Sequence, residues 1–96
     1  MIDGAMLIGA EARQADKRFT SVDPSTGKTL TPDFSSAGPD AVDAAAALAA
    51  EAFPTYAATD PETRAAFLEA ITDEILALGD ELILRAMQES GLPRAR

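Results

Sequence analysis

The chain has 96 residues and a mass of 10.0 kDa, enough for one domain or a piece of one. Its apolar fraction of 47% is dominated by 21 alanines, and Leu, Ile, Val and Phe together make only 20 residues. That share lies just above the ~20% below which a highly charged chain usually stays disordered, so the supply of core side chains is thin.

Eight basic against sixteen acidic residues give a net charge of −8, and the imbalance is local. Residues 1–37 carry four basic and five acidic side chains, whereas residues 38–91 carry two and eleven. An acidic face of this kind repels phosphate backbones and anionic lipid, which argues against nucleic-acid and membrane partners. There is no cysteine and no histidine. The chain therefore has no disulfide, no thiolate nucleophile, no zinc–thiolate site and no imidazole proton shuttle. Most hydrolytic and thiol-based catalysis is closed to it. The first nine residues lack the basic start and apolar length of a signal peptide, and no run of eighteen apolar residues follows. The expectation is a soluble, cytoplasmic chain.

Residues 1–37 read as a strand and hairpin region. Met6-Leu7-Ile8 is a short apolar run closed by Gly9, and Phe19-Thr20-Ser21-Val22 alternates as a half-buried strand does. Asp23-Pro24-Ser25-Thr26-Gly27-Lys28 has turn chemistry throughout, with a forward-bonding aspartate, a preset proline and a glycine. Thr29-Leu30 resumes an extended course, which predicts a hairpin from about residue 19 to 31. Residues 31–38 read as a polar connector anchored by Phe34.

Residues 38–96 read as a helical region. Pro39 suits a first turn, with Asp40 and Asp43 near the positive end of the dipole. Val42, Ala45, Ala46, Ala49 and Phe53 form one stripe, made mostly of methyl groups. Pro54 is expected to end this helix. Asp60-Pro61-Glu62 supplies an N-cap, a proline at N1 and an acid at N2. Phe67, Leu68, Ile71, Ile75, Leu78, Leu82 and Met87 then keep helical spacing, with Gly79-Asp80 as a kink or a break and Gly91 and Pro93 as the end.

Candidate chemistry is sparse. Asp73/Glu74 and Asp80/Glu81 are adjacent pairs, and neighbouring helical residues point about 100° apart, so neither pair faces a common point. The glycines form neither a dinucleotide nor a Walker loop. Glu89-Ser90-Gly91-Leu92 is faintly similar to the attachment site of an acyl carrier, but a carrier serine opens a helix and Ser90 closes one.

The arrangement as a whole resembles the start of an aldehyde dehydrogenase. Leu7-Ile8-Gly9 followed by Phe19 through Lys28 is similar to that family's "I-G-G" strand and its "F-x-x-x-N-P-x-T-G-E" turn. Asp40 to Ala46 with Glu51-Ala52-Phe53 resembles the next helix, and Arg64 to Ile71 resembles "R-A-x-x-L-x-x-x-A". Glu89-Ser90-Gly91-Leu92-Pro93 resembles "E-T/S-G-K/L-P". Ala10, Asp23 and Lys28 depart from the pattern; Asp23 still serves a turn, and Lys28 reverses one surface charge. Phe67-Leu68 and the Gly-Leu-Pro ending are most similar to the branch that oxidises 2-oxoglutarate semialdehyde (2,5-dioxopentanoate).

The resemblance implies an α/β parent that oxidises aldehydes with NAD or NADP through a cysteine thiohemiacetal and a glutamate base. It implies that this segment belongs to the N-terminal part of the cofactor-binding domain, as outer hairpin and helices on a Rossmann-like sheet. The catalytic cysteine, the base and the cofactor loop would lie beyond this region, so the segment alone is expected to be inactive and to bind no cofactor. Its partner would be the remainder of the dehydrogenase fold or its homo-oligomer. The resemblance also implies a monovalent cation held by main-chain carbonyls of Ser21, Val22 and Glu89. The competing reading is a stand-alone acidic helical interaction or carrier-like module. Such a module must hide Phe19, Phe34, Phe53 and Phe67 within itself, whereas a segment of a larger fold leaves an apolar patch uncovered.

Overall fold

The computed structural model describes residues 2–95 as two small antiparallel hairpins followed by three helices. Strands β1 (Met6–Ile8) and β2 (Glu11–Arg13) pair with Ile8 opposite Glu11, so Gly9 and Ala10 form the two-residue turn. β2 has no apolar alternation and was not foreseen; its extended course comes from pairing with β1. β3 (Arg18–Val22) and β4 (Thr29–Ser35) form the second hairpin, with Val22 opposite Thr29 and Phe19 opposite Phe34. The turn closes as its residues dictate: Gly27 N–H donates to Asp23 O at 2.8 Å, and Asp23 N–H donates to Lys28 O at 2.9 Å.

The expected connector after residue 31 is therefore mostly strand. Phe34 stacks on Phe19 with ring centroids 5.7 Å apart, and a partner fifteen residues away extends the ladder. A register shift between Phe19 and Ser21 accommodates the proline-containing stretch. Ser35 ends the strand as a buried polar residue, its Oγ accepting from Ala15 N–H at 3.0 Å and from Arg18 Nη1 at 3.1 Å. Gly4 lies beside β4, where its carbonyl accepts from Ser35 N–H at 2.8 Å. A Cβ at Gly4 would sit 2.0 Å from Asp33 O, so this approach of two backbones admits only glycine.

Helix α1 (Pro39–Ala57) runs through Pro54, contrary to the expectation that Pro54 ends it. A proline forfeits one N–H bond to the preceding turn, and here only one turn remains after it. That last turn is closed by Ala58 N–H donating to Pro54 O and held by Tyr56, which meets Phe67 edge-on at 5.7 Å. Helix α2 (Pro61–Ala77) starts at Asp60, whose Oδ1 accepts from Thr63 N–H at 2.7 Å. Arg64 reaches back to Thr59 O, which fastens the entry to the helix. Gly79, at φ +55°, breaks the ladder, and α3 (Gly79–Ser90) begins there. Gly91 then takes the left-handed conformation at φ +70° and donates to Met87 O at 2.9 Å.

What is missing from this arrangement is a core under the helices. Ile8 is the one apolar residue among those described that is buried, and none of the three helices buries a residue. The accessible surface is 7440 Å², about 2,200 Å² more than expected for a compact protein of this mass. The radius of gyration is 16.8 Å, against about 12.5 Å for a compact chain of this length. Phe67, Ile71, Ile75 and Leu78 line an open apolar groove on α2, with Ala70 and Glu74 at its sides. α1 meets this groove at its Phe67 end through the Tyr56 ring and leaves Ile71, Ile75 and Leu78 exposed. Among the described residues, no helix is long and apolar enough to cross a membrane.

Two measurements follow from this geometry. The isolated chain should show a strong helical circular dichroism signal yet self-associate in sedimentation, and Ile75→Asp should return it to monomer with the signal kept. A concentration-independent monomer with a sharp melting transition would contradict the open helical face. The hydrogen bond from Thr63 holds the Asp60 carboxyl below the ordinary aspartate value of 3.8. Because the folded value is depressed, the cap contributes fully above 3.8 and is lost as pH falls through the lower folded value. In a carbon-detected NMR titration, the Asp60 Cγ and the Thr63 amide should share a midpoint below 3.8; a midpoint at or above it would contradict the cap.

Candidate functional site

The Arg85 side chain ties the hairpin of β3 and β4 to the C-terminal half of α3. Arg85 lies on α3 four residues before Glu89, on the same helix face. Its Nε donates to Glu89 Oε1 at 2.8 Å, and its Nη2 donates to Ser21 Oγ at 2.8 Å. Nη1 donates to the carbonyl of Thr31 on β4, and the guanidinium carbon lies 5.5 Å from the centre of the Phe34 ring. Only 12% of the Arg85 side chain is exposed, against 40% for Glu89. The planar fork of arginine suits this task, since its donors leave in several fixed directions and its face lies on an aromatic ring.

The same contacts set the charge state of Glu89. The hydrogen bond from Arg85, then that from the Ser21 hydroxyl, holds its carboxyl below the ordinary glutamate value. Ser21 Oγ thus accepts from Arg85 beside the Glu89 carboxylate that the same guanidinium holds. The helix end is seated equally closely: a Cβ on Gly91 would lie 3.2 Å from Pro24 Cγ, and at φ +70° that position favours glycine.

Ser21, Val22 and Glu89 are thus brought to one junction, between the end of β3 and the end of α3. Their side chains and their carbonyls do different things. The side chains of Ser21 and Glu89 are engaged with Arg85. Ser21, paired with Leu30, is a hydrogen-bonded position whose carbonyl turns into the ladder, which leaves the main-chain oxygens of Val22 and Glu89 as the freer donors. Asp23 N–H bonds to Lys28 O, so by the alternation of an antiparallel ladder Val22 is a non-bonded position whose carbonyl turns away from β4. The Glu89 carbonyl is among the last four of α3 and has no donor one turn ahead within the helix. Neutral carbonyl oxygens of this kind suit a hard cation of low charge. Among the described residues, no group of three or more Asp, Glu, His or Cys side chains gathers to hold a metal.

The remaining candidates separate as their spacing predicts. Asp80 accepts from Arg94 Nη2 at 2.5 Å, whereas Glu81 accepts from the Ile2 N–H at 2.9 Å. Adjacent carboxylates thus serve opposite ends of the chain. Ser90 donates to Ala86 O at 2.6 Å and accepts from Leu92 N–H, so it closes the helix. Arg85 is the residue that reading the sequence missed. Its one signal is that it is the single basic residue between Arg64 and Arg94 and sits one turn before Glu89.

Comparison with known proteins places these elements. The aldehyde dehydrogenase family profile matches residues 11–96. The alpha-ketoglutaric semialdehyde dehydrogenase 2 of Azospirillum brasilense is 50% identical over 97 residues, which cover 99% of this chain and 18% of that enzyme. The chain thus spans under a fifth of the length of this relative. No solved structure matches. With the family profile covering the second hairpin, all three helices and the Arg85 junction between them, the chain belongs to the aldehyde dehydrogenase family.

Proposed function

We propose that the chain is the N-terminal segment of the cofactor-binding domain of a cytoplasmic, NAD(P)-dependent aldehyde dehydrogenase. Its substrate would be α-ketoglutaric semialdehyde, oxidised at the aldehyde carbon to the carboxylic acid while the nicotinamide accepts a hydride. The observation that carries this reading is the 50% identity across 99% of the chain to an enzyme of that name. The segment itself supplies no thiol nucleophile, since it contains no cysteine. Its part is structural, as the hairpin and helices that flank the sheet of the parent domain.

The uncovered face of α2 supports the same reading. Phe53 is 68% exposed and Phe67 53%, so the phenylalanines are not hidden as a stand-alone interaction module requires. The remainder of the dehydrogenase, or of its homo-oligomer, is the surface that would cover them. At the Arg85 junction, carbonyls of Ser21, Val22 and Glu89 would hold a monovalent cation. Such an ion would cross-link a strand end to a helix end by charge–dipole attraction and take no part in hydride transfer.

The test is a chimera in which these 96 residues replace the 97 aligned residues of the Azospirillum enzyme. The chimera should reduce NAD or NADP with α-ketoglutaric semialdehyde, and the 96-residue chain alone should give no rate above buffer. A folded chimera without activity would contradict the assignment, as would cofactor reduction by the chain alone.

A further inference from the structure

The adjacent carboxylates of Asp73 and Glu74 meet different surroundings. Glu74 lines the apolar groove of α2, whereas Asp73 and Glu69 lie off it. In a helix the residues three before and four after a position stand on one side of it, and those four before and three after on the other. For Glu74 these are Ile71 and Leu78 on one side and Ala70 and Ala77 on the other. All four are apolar. Any surface broad enough to cover the groove therefore covers this carboxylate as well.

Among the described residues, nothing donates to the Glu74 carboxylate, and in the open groove water serves it. Under a covering surface that water is lost. A carboxylate enclosed by apolar neighbours is costly unless a cation meets it. The helices have none to spare: of the two basic side chains in residues 38–91, Arg64 is fastened to Thr59 O, and Arg85 to Glu89, Ser21 and Thr31 O. The helical half of a second copy would bring more carboxylate to the groove and no free guanidinium. Charge complementarity points to a different polypeptide surface.

We propose that the α2 groove receives the rest of the dehydrogenase through an apolar ridge that carries one arginine or lysine, placed to pair with Glu74. This rests on the reading of the chain as a segment of such an enzyme. The residues aligned with it make up only 18% of the Azospirillum relative, so there is ample further chain to supply the ridge. Phe67, Ile71, Ile75 and Leu78 provide the area of the contact. Glu74 sets its register, because a ridge slid by one helical turn would leave two opposite charges unpaired among apolar groups.

Calorimetry of the chimera with the Azospirillum enzyme and sedimentation of the chain alone read the pairing from opposite sides. In the chimera, Glu74→Leu leaves a buried cation unpaired and should lower the melting temperature by about 5 °C or more. Glu74→Gln, which keeps an acceptor but not the charge, should fall nearly as far. Glu69→Leu, a carboxylate off the groove, should change little. In the chain alone no cation covers the groove, so Glu74→Leu should instead tighten self-association by about tenfold or more. A chimera whose melting temperature holds or rises with Glu74→Leu, a Glu74→Gln chimera as stable as its parent, an equal fall with Glu69→Leu, or self-association that Glu74→Leu does not tighten would each overturn the proposal. A chimera that folds but does not oxidise α-ketoglutaric semialdehyde would sink the assignment of function, while its Glu74 variants still judge the pairing. A chimera that does not fold would overturn both.

Discussion

Arg85 joins two parts of the chain that otherwise share little surface. Its guanidinium bonds Ser21 on β3, the Thr31 carbonyl on β4 and Glu89 one turn along its own helix, while its face lies near the Phe34 ring. A polar clamp is an unusual means of docking a helix on a hairpin, because charge-assisted bonds are strong in direction but modest in net stability. It carries this weight because the apolar alternative is absent: no residue of α3 is buried, and the hairpin presents its stacked pair Phe19 and Phe34 rather than a broad face.

The helices carry the complementary consequence. Each is well specified locally, with Pro39 opening the first, Asp60 capping the second and Gly91 ending the third. Their apolar residues nonetheless face outward, from Phe53 and Phe67 through Ile71, Ile75 and Leu78. Burying a leucine or phenylalanine contributes roughly 1.5–3 kcal/mol, so a stripe of this length is comparable to the whole stability margin of a typical domain. Leaving it open makes secondary structure strong and tertiary structure weak. Under the proposed function, the same stripe would become core against the rest of the dehydrogenase.

Much of this was legible in the chain because it is local. The turn at Asp23 to Lys28, the cap at Asp60 and the stop at Gly91 depend on residues within one turn of each other. The blocks that resemble the family also include Ser21 and Glu89, whose side chains the fold brings to Arg85. What escaped depends on distance. The strand through Phe34 needs Phe19, the last turn of α1 beyond Pro54 closes beside a ring on α2, and β2 exists only by pairing with β1. Arg85 reaches a hydroxyl 64 residues earlier, and no periodicity announces such a contact.

The central claim is that the helical half is formed locally and completed only by apolar surface it does not itself supply. Amide hydrogen exchange of α2 and α3, compared between this chain alone and the chimera with the Azospirillum enzyme, tests it most directly. The account predicts exchange within minutes in the chain alone and protection at least a hundredfold greater in the chimera. Equal protection of Ile71 to Leu78 in both would contradict it.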